Sequence, residues 1–423
     1  MLDLQEHAMT KSIVVWLSVG VIVSTLSSEP ALSQTREFGG PDAVENQMRS
    51  DRQQVDAIFE LEFLDSWFSF KEELVEDTGL SFSIDYSSIG FAATDSLGND
   101  TAASGMVRAF GAWELTGRGT SDTGALVFKV ENRHSYTDVA PSGFGFDVGY
   151  VGLLNAPFSD EGLRLTNLYW RQRLFGGRST VTAGFLDATD YVDAFALGSP
   201  WLHFSNLVFS TGSGAIGLPN DATLGVAGGT FLTDNVYAIA GLANANADPT
   251  DPFEGFDSFF DEKEYFSSIE MGWTSAPDRL IFDNIHATLW NTDGSEQLGV
   301  NDGWGVAGSA TWYVEDQWLP FIRGGYSEDG GALLEASVSA GLAWQPKPGP
   351  GRDVLGVGLN WGRPNSDSFG SGLKDQWTGE LFYRINLGKR FAITPDVQIL
   401  IDPALNPDED IVGVFGLRGR LAL

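Results

Sequence analysis

Over the last fifty residues, apolar and polar positions alternate with a period of two. In 376–387 the odd positions carry Trp377, Leu381, Tyr383, Ile385 and Leu387, and the even ones carry Gln376, Thr378, Glu380, Arg384 and Asn386. Residues 391–402 set Phe391, Ile393, Val397, Ile399 and Ile401 against Thr394, Asp396, Gln398 and Asp402. In 411–423, Ile411, Phe415, Leu417, Leu421 and Leu423 oppose Arg418 and Arg420. Such alternation over about ten residues predicts tilted strands that cross a bilayer with one face in lipid.

Read back along the chain, the pattern predicts sixteen strands. They fall at residues 80–90, 104–117, 124–136, 163–174, 179–193, 221–232, 235–244, 265–276, 280–294, 302–315, 317–327, 333–345, 353–363, 375–387, 391–402 and 410–423. Short links at 175–178, 233–235, 276–279 and 387–390 follow even-numbered strands, whereas the long links at 137–162, 194–220 and 245–264 follow odd-numbered ones. Short turns at one end and long loops at the other are the layout of an outer-membrane barrel, with the turns in the periplasm. Before the strands, residues 62–79 place Phe63, Leu64, Trp67, Phe68, Leu74 and Val75 at helical spacing opposite Glu72, Glu73 and Glu76. This predicts a helix against the barrel mouth or partly plugging it. The expected class is all-β: a sixteen-stranded antiparallel transmembrane β-barrel over 80–423 with a short N-terminal helix. Trp170, Trp273, Trp344 and Tyr383 on apolar faces are candidates for the interfacial girdles.

Residues 1–33 read as a secretory leader: Lys11, an apolar run over 13–26, and small residues at 31–33. Residues 34–61 read as a flexible periplasmic spacer. The chain has no cysteine, so its closure is expected to rest on hydrogen bonds. Its formal charge is −32, and removing one lysine and three acids with the leader leaves −30. That balance disfavours nucleic acid as a partner. The four histidines show no metal-ligand spacing, and no nucleophile elbow, phosphate loop or dinucleotide fingerprint occurs, so neither enzyme nor cofactor is expected. The rival is a secreted soluble all-β protein that binds or hydrolyses its ligand; 51 glycines and 13 tryptophans would suit a propeller, but no repeat of blade length is found.

Candidate chemistry sits on the polar faces. Lys129, Glu131 and Arg133 share one face of their strand, Asn167, Tyr169, Arg171 and Arg173 one face of the next, and Arg108 and Glu114 a face of the strand before. A barrel of this width is not filled by its own wall, so these residues are expected to line water, either as solvated wall or as a selectivity lining. The long link at 194–221 is too apolar for an exposed loop, with Phe195, Leu197, Trp201, Leu202, Phe204, Leu207, Val208 and Phe209. It is expected either to pack on other loops or to fold into the lumen as a constriction.

Several runs carry a resemblance: LVFKVENRHSY at 126–136, LRLTNLYWRQRL at 163–174, TVTAGFLDATDYVDAF at 180–195, ELFYRINLGKRFAITPDVQILIDPALNP at 380–407, and TGLSFSIDY at 78–86. With these the chain resembles the carbohydrate-selective outer-membrane porin family of OprB type over residues 62–423. The resemblance implies an outer-membrane pore for passive diffusion of small sugars. It places the solute-contacting role on Lys129, Glu131, Arg133, Tyr169, Arg171 and Arg173, and the constriction on the loop bearing Trp201, His203, Phe204 and Asn206. Outer-membrane lipid and lipopolysaccharide are the implied surroundings, and a homotrimer is left open. The terminal Leu423 departs from the aromatic end common to such strands. The acidic loops leave a general cation-tolerant porin as the alternative.

Overall fold

The computed structural model describes residues 38–52, 62–294, 299–315, 317–345, 353–388 and 390–423. The expected leader lies outside the described residues. The sixteen strands are β1 (Leu80–Ala93), β2 (Thr101–Thr116), β3 (Gly124–Ser135), β4 (Gly162–Leu174), β5 (Ser179–Leu186), β6 (Thr223–Phe231), β7 (Val236–Asn244), β8 (Tyr265–Thr274), β9 (Asn284–Thr292), β10 (Gly303–Thr311), β11 (Trp318–Asp329), β12 (Leu334–Trp344), β13 (Val354–Pro364), β14 (Gln376–Asn386), β15 (Phe391–Ile401) and β16 (Ile411–Ala422). Each pairs antiparallel with its sequence neighbours, and β1 pairs with β16 to close the barrel. The closing seam ends with Ile84 and Leu423 exchanging both backbone hydrogen bonds, at 3.1 and 2.7 Å.

The alternation read from the sequence is the inside–outside alternation of the wall. In β14, Gln376, Thr378, Glu380 and Arg384 are buried, whereas Trp377 and Leu381 are exposed. An exposed apolar band is stable only where lipid replaces water against it. Aromatic pairs mark its turn-side rim, where Trp273 stacks on Trp312 at 5.3 Å and Trp318 meets Trp344 at 6.0 Å. On the loop side, Trp304 and Trp361 donate their indole N–H groups to Glu328 and Asp375, each at 3.1 Å, so their apolar bodies and polar tips face different media.

Two expectations need correction, on the end of β5 and on residues 38–52. Strand β5 stops at Leu186 rather than 193, because the Asp187 carboxylate accepts from the Thr189 N–H at 2.9 Å and turns the chain off the wall. At the top of β12 a bulge between Leu334 and Ala336 reverses the alternation and turns Leu334 inward. Residues 38–52, expected within a flexible spacer, are ordered in the lumen and include helix α1 (Val44–Arg52), with Val44 and Gln47 fully buried. Helix α2 (Asp65–Thr78) does form, but it buries no residue. It lies at the turn end, Lys71 donating to the Leu423 carbonyl at 2.8 Å and Trp67 edge-on to Phe82 at 5.7 Å. Helix α1, and not α2, fills the barrel.

Candidate functional site: the filled lumen

Two loops turn into the barrel from its loop end. Beyond Leu186 the chain stays inside through residue 216, burying Phe195, Leu197, Trp201, Phe204, Val208 and Phe209. From the link between β3 and β4 come Phe144, Tyr150, Val151, Leu154 and Phe158, all fully buried. The apolar side chains that marked the 194–221 stretch as anomalous form the core of this filling. Phe204 stacks on Phe209 at 4.7 Å and meets Phe382 of β14 edge-on at 4.8 Å.

Polar knots fasten the filling to the wall. At the first, the Asp193 carboxylate accepts from His286 Nε2 of β9 at 2.7 Å, from the Gly212 N–H at 2.6 Å, and from the Arg323 guanidinium of β11. That guanidinium lies 3.7 Å above the Phe195 ring. Burial pushes the Asp193 carboxyl up, but Arg323 and His286 outweigh it and hold the group below the usual carboxylate range. Asp193 also has φ 47, a left-handed backbone that Asp tolerates better than most residues. At the second knot, Glu380 of β14 accepts the Ser205 and Asn206 N–H groups at 2.5 and 3.0 Å, and Asn206 donates to Gln398 of β15 at 3.0 Å. Arg418 of β16 donates to the His203 carbonyl at 2.7 Å. His203 is kept neutral, its pKa well below the ordinary value through burial and the adjacent Arg384 and Arg418. The second loop is tied by a reciprocal pair, Gln376 Nε2 to Val151 O at 2.7 Å and Val151 N–H to Gln376 Oε1 at 3.1 Å.

The opposite wall, β2 to β4 and β16, is cationic. Arg108, Lys129, Arg133, Arg171 and Arg173 all point inward, as their parity predicted, but they are buried beneath the filling instead of lining water as expected. Glu114 does not join them; it lies half-buried at the turn end of β2, beside a second bulge. Tyr169 packs at the edge of the apolar clusters below the inward loop. Arg164 escaped the sequence reading because a bulge at the Lys129/Val130 register flips the upper part of β4, so that an even position faces in.

These cations meet acids that come largely from the inserted segments. Glu45 of α1 pairs with Arg171 and lies 3.6 Å from Arg173. Asp51 of α1 grips Arg420 of β16 with two contacts, at 2.6 and 2.8 Å. Asp221 takes Arg133 at 2.9 Å and Arg164 at 2.8 Å. Asp85 of β1 holds both Arg108, with Nε at 2.8 Å, and Arg420 at 2.7 Å. Crowding of acids shows in the loop groups. Burial, then Asp221 and Asp190, pushes the Asp187 carboxyl up to about 7, and burial raises Asp42 to about 6. Arg108 also lies over the Trp201 ring at 4.5 Å, joining the cationic wall to the inward loop.

A family described as carbohydrate-selective porin, OprB family, matches residues 105–308, the stretch that carries the cationic wall and the inward loop. Over that stretch the chain is similar to the OprB-type porins. Solved porin structures share its fold. The high-pH structure of Pseudomonas putida OprB superimposes with a TM-score of 0.66 at 14% identity, covering 85% of this chain and 97% of that one. The low-pH structure gives 0.51 at 12% identity, covering 88% of this chain and all of that one. A Rh. blastica porin variant gives 0.50 at 10% identity over 81% of this chain. No curated protein sequence matches. The match and the closed sixteen-stranded barrel imply a bacterial outer-membrane protein. Its alternating wall, closed seam and inward loop belong to one design: a barrel narrowed from within.

Proposed function

We propose that the porin passes small neutral sugars by passive diffusion, and that the narrow part is the space between the cationic wall and the inward loop. The observation that carries this reading is the juxtaposition of Trp201 with Arg108 and its neighbours Asp85 and Arg420. Sugars present apolar ring faces and dense hydroxyls, so an aromatic face beside fixed donors and acceptors is suited to them. Lys129, Glu131, Arg133, Tyr169, Arg171 and Arg173 extend the polar lining, with Asn206 and neutral His203 from the loop. Trp201 supplies the aromatic surface, while Phe204 acts from inside the loop core as a positioning residue. Compensated charge pairs attract hydroxyls without holding an ion strongly, which fits transit rather than capture.

Liposome swelling tests the proposal. Monosaccharides are expected to enter faster than amino acids of similar size and faster than disaccharides. Equal rates for all small solutes would demote the channel to a general, cation-tolerant porin.

A further inference from the structure

We propose that residues 38–52 are a reversible plug seated on a wall site for carboxylates, its own acids occupying positions that an acidic solute takes when the segment withdraws. The proposal rests on the porin reading but concerns a different part of the lumen, the turn-side chord beneath the inward loop. Phe38 packs on Phe231 of β6 at 4.8 Å, and α1 then crosses beside β2 and β3 to Arg420 of β16.

The first argument is topological. All sixteen strands are hydrogen-bonded around the full circle without this segment, which adds no strand. The barrel has no structural need of it. The second is the kind of contact. Glu45 sits on Arg171 and Arg173, Asp51 spans Arg420, and Asp42 accepts from Ser199 Oγ at 2.6 Å while its carbonyl accepts from Lys129 at 3.2 Å. A single described main-chain bond, Gly40 N–H to Asp190 O at 2.7 Å, ties it to the inward loop. Its apolar hold on the wall is confined to Phe38 on Phe231 and to Val44 and Met48 against Phe110, Ala112 and Val127. Point contacts of charge with charge are strong when docked and replaceable by water or salt when not.

The third argument is chemical. With the segment out, Arg171 and Arg173 lose Glu45 and Arg420 loses Asp51 while keeping Asp85, and a cluster of guanidinium groups recognises carboxylate by paired N–H bonds. Room for movement adjoins the segment. A recess of about 340 Å³ opens at the turn end between Met48, Asp51 and Arg52 of α1, Phe68 and Lys71 of α2, and Phe82 of β1.

The experiment uses the full chain in planar bilayers. Glu45→Gln with Asp51→Asn is expected to raise the time spent in a large-conductance state about tenfold or more, the effect of removing ~1.4 kcal/mol of docking free energy. That state should be shifted toward anion selectivity, and glucuronate should reduce its current more than glucose does. A second variant tests the same point without touching charge. A Cβ on Gly40 would lie 3.2 Å from Cβ of Ala194, close to disulfide spacing, in a chain with no native cysteine. Oxidised Gly40→Cys/Ala194→Cys should lose the large state, and reductant should restore it. Conductance and reversal potential unchanged in the charge variant, or a disulfide without effect, would overturn the plug and leave a fixed crossbar. Absence of any channel in wild type and variants alike would overturn the porin reading and the plug with it.

Discussion

Replacing Asp193 tests whether the inward loop is held by charge or only by its apolar packing. The Asp193→Ala variant leaves the Arg323 guanidinium 2% exposed and without its carboxylate. Removing one partner of a buried pair costs about 3–5 kcal/mol. Glu270, 3.8 Å from His286, remains as a second anion and argues for the lower end of that range. Alanine at φ 47 adds about 1–2 kcal/mol of backbone strain that aspartate largely escapes. A total near 4 kcal/mol shifts the ratio of docked to undocked loop about a thousandfold. The assay is limited chymotrypsin digestion of the folded protein in detergent, where Tyr191 and Phe195 are protected while the loop is docked. Asp193→Asn keeps a side chain suited to the left-handed backbone and should fall between wild type and alanine. Asp193→Asn combined with Arg323→Met removes both charges and should recover much of the protection. If the alanine variant resists protease as well as wild type, and the double variant is no better than the single, the ion pair does not hold the loop.

The remaining predictions concern the wall and the plug. Arg133, Arg171 and Arg173 all changed to alanine should leave a heat-resistant barrel, because the sheet closes without them, yet leave Glu131 and Glu45 without these cations and Asp221 with Arg164 alone; reversal potentials should move toward cation selectivity, and no change would mean these arginines do not set the lumen potential. Glu380→Ala strips two backbone donors of the 201–206 tip of their acceptor at about 1–3 kcal/mol for each, so single-channel current should become noisier at unchanged barrel melting, a quiet trace counting against the tie. Asp42 carries a pKa raised to about 6 with the segment docked, through burial and the nearby Asp187, partly offset by Ser199, Lys129 and Arg108. Docking therefore takes up a proton, its stability is full below the carboxyl's ordinary value and is lost as pH rises through 6, by up to about 3 kcal/mol. Mean conductance should be larger near pH 8 than near pH 5, and Asp42→Asn should flatten the difference; an equal slope in that variant would exclude Asp42 as its source.

Much of this molecule was legible because a barrel wall encodes its two faces at every second residue. All sixteen strands form, fifteen of them close to where alternation placed them and β5 shorter, and Lys129, Arg133, Arg171 and Arg173 face inward as their parity required. Arg164 and Leu334 face inward for one reason that the pattern does not carry: a bulge reverses parity, and nothing in the local composition announces it. The insertion of 187–216 was signalled only as excess apolar surface, which says that a loop must be covered but not by what. Residues 38–52 gave no signal, being polar and aperiodic. Their order comes from Arg171, Arg173 and Arg420, partners far away in sequence whose need for counter-charge appears only once the wall is built.

The seam between β1 and β16 has a kinetic consequence. Asp51 and Arg420 are 369 residues apart, and strand β1 stays an open edge until the final strand is made. Contacts so remote in sequence form late, after the loop-closure entropy of nearly the whole chain has been overcome. The two fillings reach the interior from opposite rims, the loop from one and the N-terminal segment from the other. Neither has a complete wall to bind before the circle seals. Refolding into detergent micelles should therefore pass through a sealed cylinder still full of water, with its sheet formed and its aromatic filling unpacked. The slow phase would belong to solvent leaving the bore.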